Sequence, residues 1–462
     1  MEIKASLGKY TVYASDYCKL DSDVFKGGGT NETEILQAIL NKAKEWGRVK
    51  LIMDGAALIS GLTIYSNTTI ECLDGSCGFF LESGSDNAIL RNAEFSKTEY
   101  TCVNVTLSGG TYNHNSVGQN PCFPENDWLP ENEGCNSTLV PFKFFGVKNF
   151  KMTDITIVDQ KRYALLMGNW ENVYMENIGI PLPNFVPNSN QDGLHFHAPG
   201  KNIVLKNIYG RTGDDFIAIN GDEGDRVSDI DGVTIDGVYL NGSTQGIRLL
   251  CRERGTFKNV YINNVQGTVD SFAFYIGPWF YGDERSAGFD GFSGKFSNIT
   301  IENVNLTMTN PVYTYNQQQL FSIGGDIENI SIRNVTARSN QSDFRVLSLR
   351  EGHLQYSDGF LGKSPTDINE IFVDGVYVKG TDENVKFDKL FAVEGVTKVA
   401  RLTVNNVTAE TASCENALLT IDESAKVNEL NIRSIRAKGF DKIIKGKENC
   451  TEIYENDIKL NS

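Results

Sequence analysis

A six-residue phrase recurs along the chain and limits the possible folds more than any other feature. It alternates apolar and polar residues, reaches a corner residue that is usually Asn or Gly, and turns apolar again. Copies begin at Phe150, Val173, Ile203, Val233, Val260, Ile299, Ile330, Ile371, Leu402 and Leu430. Successive starts are 23, 30, 30, 27, 39, 31, 41, 31 and 28 residues apart. The alternation is that of a half-buried strand. Asn and Gly tolerate the left-handed backbone that a sharp corner needs. A strand, a corner and a second strand at this period describe one coil of a β-solenoid. Leucine-rich repeats share the period but need a Leu-rich consensus and a helix per repeat, and propeller blades are longer. The expected fold is all-β: a single-stranded right-handed parallel β-helix, with corner Asn side chains bonding along its axis.

Repeats cannot bury the end of their own stack, so a cap is required. Thr30-Asn31-Glu32-Thr33-Glu34 precedes Ile35, Leu36, Ile39, Leu40, Ala43 and Trp46. A capping residue, early acids and an apolar stripe at helical spacing predict an amphipathic N-terminal capping helix over 30–46. No linker interrupts the chain. The expected organisation is one β-helix domain over residues 1–462. Its N-terminal cap would span about 20–50, its coils about 51–440 and its C-terminal cap about 441–462.

Charge and composition exclude several functions. Lys and Arg total 43 against 59 Asp and Glu, a net charge of −16, which argues against nucleic acid as a partner. No stretch approaches the ~18–20 apolar residues of a membrane span. Met1-Glu2-Ile3-Lys4 has no apolar secretory core, so the protein is either cytosolic or lost a signal before this numbering begins. The 9 Cys lack metal-ligand spacing. Cys122 and Cys135 flank a loop and could be bridged; for the others, free buried thiols are expected.

Three long stretches leave the period: residues 113–139, 277–294 and 350–365. Loops of this length are usually functional or disordered. The second carries Trp279 and Tyr281 and closely follows Tyr275. Aromatic faces stack on sugars, so these three residues are expected to line one wall of a glycan cleft.

The chemistry is concentrated in two neighbouring segments. Asn190-Gln191-Asp192-Gly193-Leu194-His195-Phe196-His197 is followed by Thr212-Gly213-Asp214-Asp215-Phe216-Ile217. Setting Leu194 on Phe216 places Asp192 on Asp214. Residues in one column of stacked coils are ~4.8 Å apart. Asp192, Asp214 and Asp215 would thus crowd one patch. Asp and Gly are ordinary turn residues, but three carboxylates in register cost stability and suit acid–base chemistry. Calcium binding by the same carboxylates is the rival reading. On the next coil, Gln245 follows the carboxylate column, and Arg248 stands in line with His195. Both would face the substrate with Asn190 and His195.

These motifs resemble those of glycoside hydrolase family 28, the polygalacturonases and their relatives. The family carries N-T-D, G-D-D, G-H-G and R-I-K on a right-handed parallel β-helix. Asn190-Gln191-Asp192 resembles the first motif, with Gln for Thr, and Gly213-Asp214-Asp215 matches the second. Ile247-Arg248-Leu249-Leu250 resembles the fourth, with Leu250 in place of the Lys, and the third is absent. The resemblance implies inverting glycoside hydrolysis without cofactor or metal. Asp214 would be the general acid, and Asp192 and Asp215 the bases that activate water. It also implies a polysaccharide or oligosaccharide as partner and a secreted or cell-envelope location. Loss of the family's Lys and motif His predicts weak action on polygalacturonate and a better fit to a neutral terminal sugar. Loops at both ends of the cleft favour an exo-acting pocket. Two rivals share the fold: a tail-spike-like or adhesin-like protein that binds glycan without cutting it, and a polysaccharide lyase. Arg248, Arg252 and Arg254 keep the lyase open, though no Lys is in the patch, and oligomeric state is left open.

Overall fold

The computed structural model describes residues 2–120, 139–183, 190–221, 229–251, 255–280, 293–309, 318–350, 353–354 and 366–460. The fold is the expected right-handed parallel β-helix. The chain divides into two compact units, residues 1–217 and 218–462.

In the first unit, strands Phe142–Val158, Leu165–Ile180 and Leu194–Gly210 stack in parallel. The repeated phrase sets their register. Phe150 pairs with Val173 and Val173 with Ile203; Met152 pairs with Met175 and Met175 with Leu205. All six side chains are buried. Each contributes about 1.5–3 kcal/mol on leaving water, so a register slip that turned one set outward would cost many such terms. In the second unit, the column Val233, Val260, Ile299, Ile330, Ile371, Leu402 and Leu430 runs through seven coils in the same way.

Corner residues Asn177 and Asn207 have φ of 56° and 51°, and Asp154 has 60°. The Asn177 amide donates to Asp154 (2.8 Å), and the Asn207 amide donates to Asn177 (3.1 Å). In the second unit, Asn264 donates to Asp236 and Asn334 to Asn303. These amides satisfy one another along the stack, as expected from the repeat.

The capping segment forms two helices instead of one: α1 (Thr33–Leu40) and α2 (Lys42–Trp46). Leu36, Ile39 and Leu40 of α1 and Ala43 of α2 are buried. Asn31 accepts from the Thr33 N–H at 3.0 Å, and Gly47, at φ 75°, ends α2. At the other end of the chain, strand Cys450–Glu455 pairs in parallel with Lys426–Lys445 and turns back antiparallel through Ile458–Lys459.

Cys18, Cys72, Cys77, Cys102, Cys251 and Cys450 are free thiols. Burial pushes Cys72 and Cys102 up to about 12, so they pack as small apolar groups. The Cys122–Cys135 bridge, Tyr281, Arg252 and Arg254 lie outside the described residues, as does most of each long loop.

Candidate active site

The first unit brings the three carboxylates together: one oxygen from each of Asp192, Asp214 and Asp215 lies within 4.8 Å of the others. The pairing differs by one residue from the sequence alignment. Gly193 N–H donates to the Asp215 carbonyl at 2.9 Å. In a parallel ladder that bond sets Gly193 opposite Phe216, and so Asp192 opposite Asp215 rather than Asp214. A Cβ on Gly193 would lie 2.3 Å from the Phe216 carbonyl oxygen, which explains glycine there. Asp214 stands just before the strand that begins at Asp215 and is held from behind. Its Oδ2 accepts from the Asn190 N–H at 2.8 Å, and its own carbonyl accepts from the Thr212 hydroxyl at 2.9 Å. Asn190 adopts φ 61°, so its backbone points the N–H at the carboxylate.

The three acids differ in exposure. Asp192 and Asp215 are 2% and 1% exposed, whereas Asp214 is half-buried. Asp192 Oδ2 lies 2.6 Å from Nδ1 of His195, which is itself 3% exposed. His195 stacks on Tyr163 at 4.1 Å between ring centres. It is therefore a buried partner of Asp192 instead of an exposed sugar contact. The sequence alignment overlooked Tyr163. The register that pairs Leu165 with Leu194 puts Tyr163 in the column of Asp192, one coil earlier. The three carboxylates are also the one set of donors among the described residues that could converge on a cation.

The second unit holds the other candidates. Arg248 donates from Nη2 to Gln245 at 2.8 Å, and its guanidinium lies 4.4 Å from the Trp279 ring centre. Leu250, Phe272, Tyr275 and Trp279 form a buried cluster beside it. The Tyr275 hydroxyl donates to the Pro278 carbonyl at 2.8 Å. Tyr275 and Trp279, expected to face sugar, are each 5% exposed and pack around the arginine. Leu250, which replaces the family's Lys, belongs to this apolar cluster.

Fold and site together define a parallel β-helix that carries a tight carboxylate cluster beside one coil corner. Residues 91–228, which contain the cluster, match the family model for glycosyl hydrolases family 28, so the resemblance read from the motifs is borne out. A polygalacturonase of Persea americana is 24% identical over 279 residues, covering 53% of this chain and 59% of that protein. An exopolygalacturonase of Arabidopsis thaliana is 25% identical over 251 residues, covering 52% of this chain and 53% of the relative. The chain thus matches little more than half the length of either relative. Among solved structures, the tailspike protein of E. coli bacteriophage HK620 superposes with a TM-score of 0.57 at 14% identity, covering 93% of this chain and 77% of that one. A family 28 exopolygalacturonase of Yersinia enterocolitica gives 0.52 at 13% identity, covering 98% and 78%. At these identities the structural likenesses speak for the fold alone.

Proposed function

We infer that this protein is a glycoside hydrolase that cuts a complex polysaccharide or oligosaccharide by acid–base chemistry. The observation that carries the reading is the convergence of Asp192, Asp214 and Asp215 inside the segment that matches the family. Asp214, the most exposed of the three, is the general acid that protonates the leaving oxygen. Asp192 and Asp215 activate water. In the second unit, Gln245 and Trp279 hold the Arg248 guanidinium in one orientation. A polymeric substrate fits action outside the cell. No helix among the described residues is long and apolar enough to cross a membrane.

The resemblance supports inversion of configuration. Inverting pairs usually stand ~6.5–9.5 Å apart and retaining pairs ~5–5.5 Å, so the close approach of the nearest oxygens pulls the other way. Following the first-formed product by NMR decides the point: an inverted anomer is expected, and a retained anomer would assign the cluster to double displacement. Asp214→Asn should lower turnover by at least ~10²-fold. Unimpaired turnover in that variant, or glycan binding with no cleavage by the unaltered chain, would sink the hydrolase reading.

A further inference from the structure

We propose that Cys72 and Cys77 are a disulfide-forming pair, a covalent clamp across one coil corner of the first unit. The inference stands apart from the hydrolase reading and rests on register. Strand Thr68–Cys72 leads into an excursion from Leu73 to Ser76, and the chain re-enters the stack at Cys77, just before strand Gly78–Leu81. On the next coil, Glu71 pairs with Ser108 and Gly78 with Thr111. Continuing each strand by one residue sets Cys72 opposite Gly109 and Cys77 opposite Gly110. Those glycines are consecutive, so their Cα atoms are ~3.8 Å apart. The cysteines stacked on them come within reach of the ~4.4–6.8 Å Cα separation that a disulfide spans. The preceding coil pinches them in the same way. Cys72 pairs with Met53, and the Gly78 N–H donates to the Gly55 carbonyl at 3.1 Å, so Asp54 alone bridges the gap there.

The two side chains share a side of the strands. Alternation puts Ile70 and Cys72 on the buried side of one strand, and Cys77, Phe79 and Leu81 on the buried side of the other. Cys72 Sγ lies 3.8 Å from the Tyr112 hydroxyl inside the coil. A Cβ on Gly110 would sit 2.6 Å from Cys72 Sγ and 2.9 Å from the Cys77 carbonyl oxygen. One point thus touches both cysteines, and glycine keeps it clear for a bridge. The excursion between them is already ordered. Asp74 Oδ1 accepts from the Ser76 N–H at 2.8 Å and from its hydroxyl at 2.6 Å, and the Thr111 hydroxyl donates to the Gly75 carbonyl at 2.7 Å. Closing the pair asks for side-chain rotation between staggered wells and leaves these bonds in place.

This corner lacks the bonds that hold it on later coils. The amides of Asn207 and Asn177 tie each coil to the one before as far as Asp154. Thr153 pairs with Ser108 and Thr156 with Thr111, so the coil before Asp154 turns at Gly109-Gly110, which offer no side chain. The coil before that turns between Cys72 and Cys77. A covalent link here closes the corner where the amide ladder has run out. Burial holds the Cys72 thiol up at about 12, and the neighbouring Cys77 adds to the shift. A thiol held that high attacks slowly, so the bridge forms while the corner is still open and is shielded once the coil has packed. The oxidant is a small-molecule disulfide such as oxidised glutathione. One cysteine thiolate attacks it and releases one glutathione thiolate. The second cysteine attacks the mixed disulfide and expels the other. The two cysteines give up two electrons and two protons, and the two released glutathiones take both.

The test refolds the full chain in oxidising and in reducing glutathione buffer, then denatures, alkylates and digests it with trypsin. Cys72 and Cys77 fall in one peptide, residues 51–91. From the oxidising buffer that peptide should be unalkylated and lighter by two hydrogen atoms. A further cut before Asp74 should leave its two halves joined until reductant is added. Cys102 and Cys251 should be alkylated in both buffers. The oxidised chain should melt about 1–3 °C above the reduced one. The Cys72→Ala/Cys77→Ala double variant should melt alike in both buffers. Alkylation of both cysteines after refolding in the oxidising buffer overturns the pair. A link from either cysteine to Cys18, or glutathione retained on it as the end product, does the same. A melting shift between buffers that is as large in the double variant as in the parent places the stabilisation elsewhere and overturns the clamp. Peptide mapping uses the unaltered chain, so it decides the pairing even if the variant folds poorly.

Discussion

His195 shows how much one contact settles at the residue scale. Its Nδ1 occupies Asp192 Oδ2 at 2.6 Å, while Asp192 Oδ1 is buried with no hydrogen-bond partner among the described residues. The imidazole therefore fixes the orientation of the carboxylate. A hydrogen bond to a charged group contributes about 1.5–3 kcal/mol, and its loss here also frees the carboxylate to rotate. His195→Ala should lower stability by that amount and turnover by about tenfold to a hundredfold. His195→Asn, whose Nδ2 stands at the same bond distance from the backbone as Nδ1 but which lacks the rest of the ring, should recover part of both. Melting curves and initial rates check this. Loss of stability with full activity would reduce His195 to a structural residue.

At the scale of elements, the coil corners are the most exposed to single changes. Asn177 combines a left-handed backbone with ladder bonds to Asp154 and Asn207. Asn177→Ala pays the left-handed penalty of about 1–2 kcal/mol and loses bonds worth about 1 kcal/mol each, so a loss of roughly 2–4 kcal/mol is expected. The reverse change is available at Ser434, which holds φ 52° at the last corner without being Asn or Gly. Ser434→Asn should add about 0.5–1 kcal/mol. Denaturant midpoints of the two variants must move in opposite directions. The same corners made the fold legible in the sequence: alternation before Asn207 or Asn264 leaves one register that buries Ile203 or Val260. The carboxylate corner lacked that signal. Strand Asp215–Asn220 reads Asp-Phe-Ile-Ala-Ile-Asn and is buried throughout, so nothing alternates to distinguish Asp192 on Asp214 from Asp192 on Asp215. The carboxylate cluster could be read because either register brings the three acids together. The burial of Tyr275 and Trp279 could not, because aromatic content alone does not say which face a ring covers.

At the scale of the whole molecule, acid is the condition that sets opposing charge effects against each other. The chain carries −16 at neutral pH, so protonating surface carboxylates relieves self-repulsion as pH falls towards the pI of about 4.9. His114 works the other way. It is fully buried, accepts at Nδ1 from the Lys161 N–H at 3.1 Å, and lies with Nε2 3.1 Å from the Asn87 carbonyl. A neutral ring protonated at Nε2 satisfies both contacts. A proton added at Nδ1 would point at another donor. Burial accordingly pushes His114 down to about 4, with Lys161 adding to the shift. The folded value lies below the unfolded one of ~6.5, so the unfolded chain takes up a proton first. Stability is unaffected above about pH 7, falls as pH drops through 6.5, and levels off below 4. The linkage amounts to about 2 kcal/mol at pH 5 and about 3 kcal/mol once both states are protonated. His114→Gln keeps an acceptor and a donor in the cavity without a titratable group. Its unfolding free energy relative to the parent should therefore rise by about 2 kcal/mol between pH 7 and pH 5, with the surface carboxylates cancelling in the difference. A parent-to-variant difference that does not change with pH would show that His114 takes up its proton at the same pH in the folded and the unfolded chain.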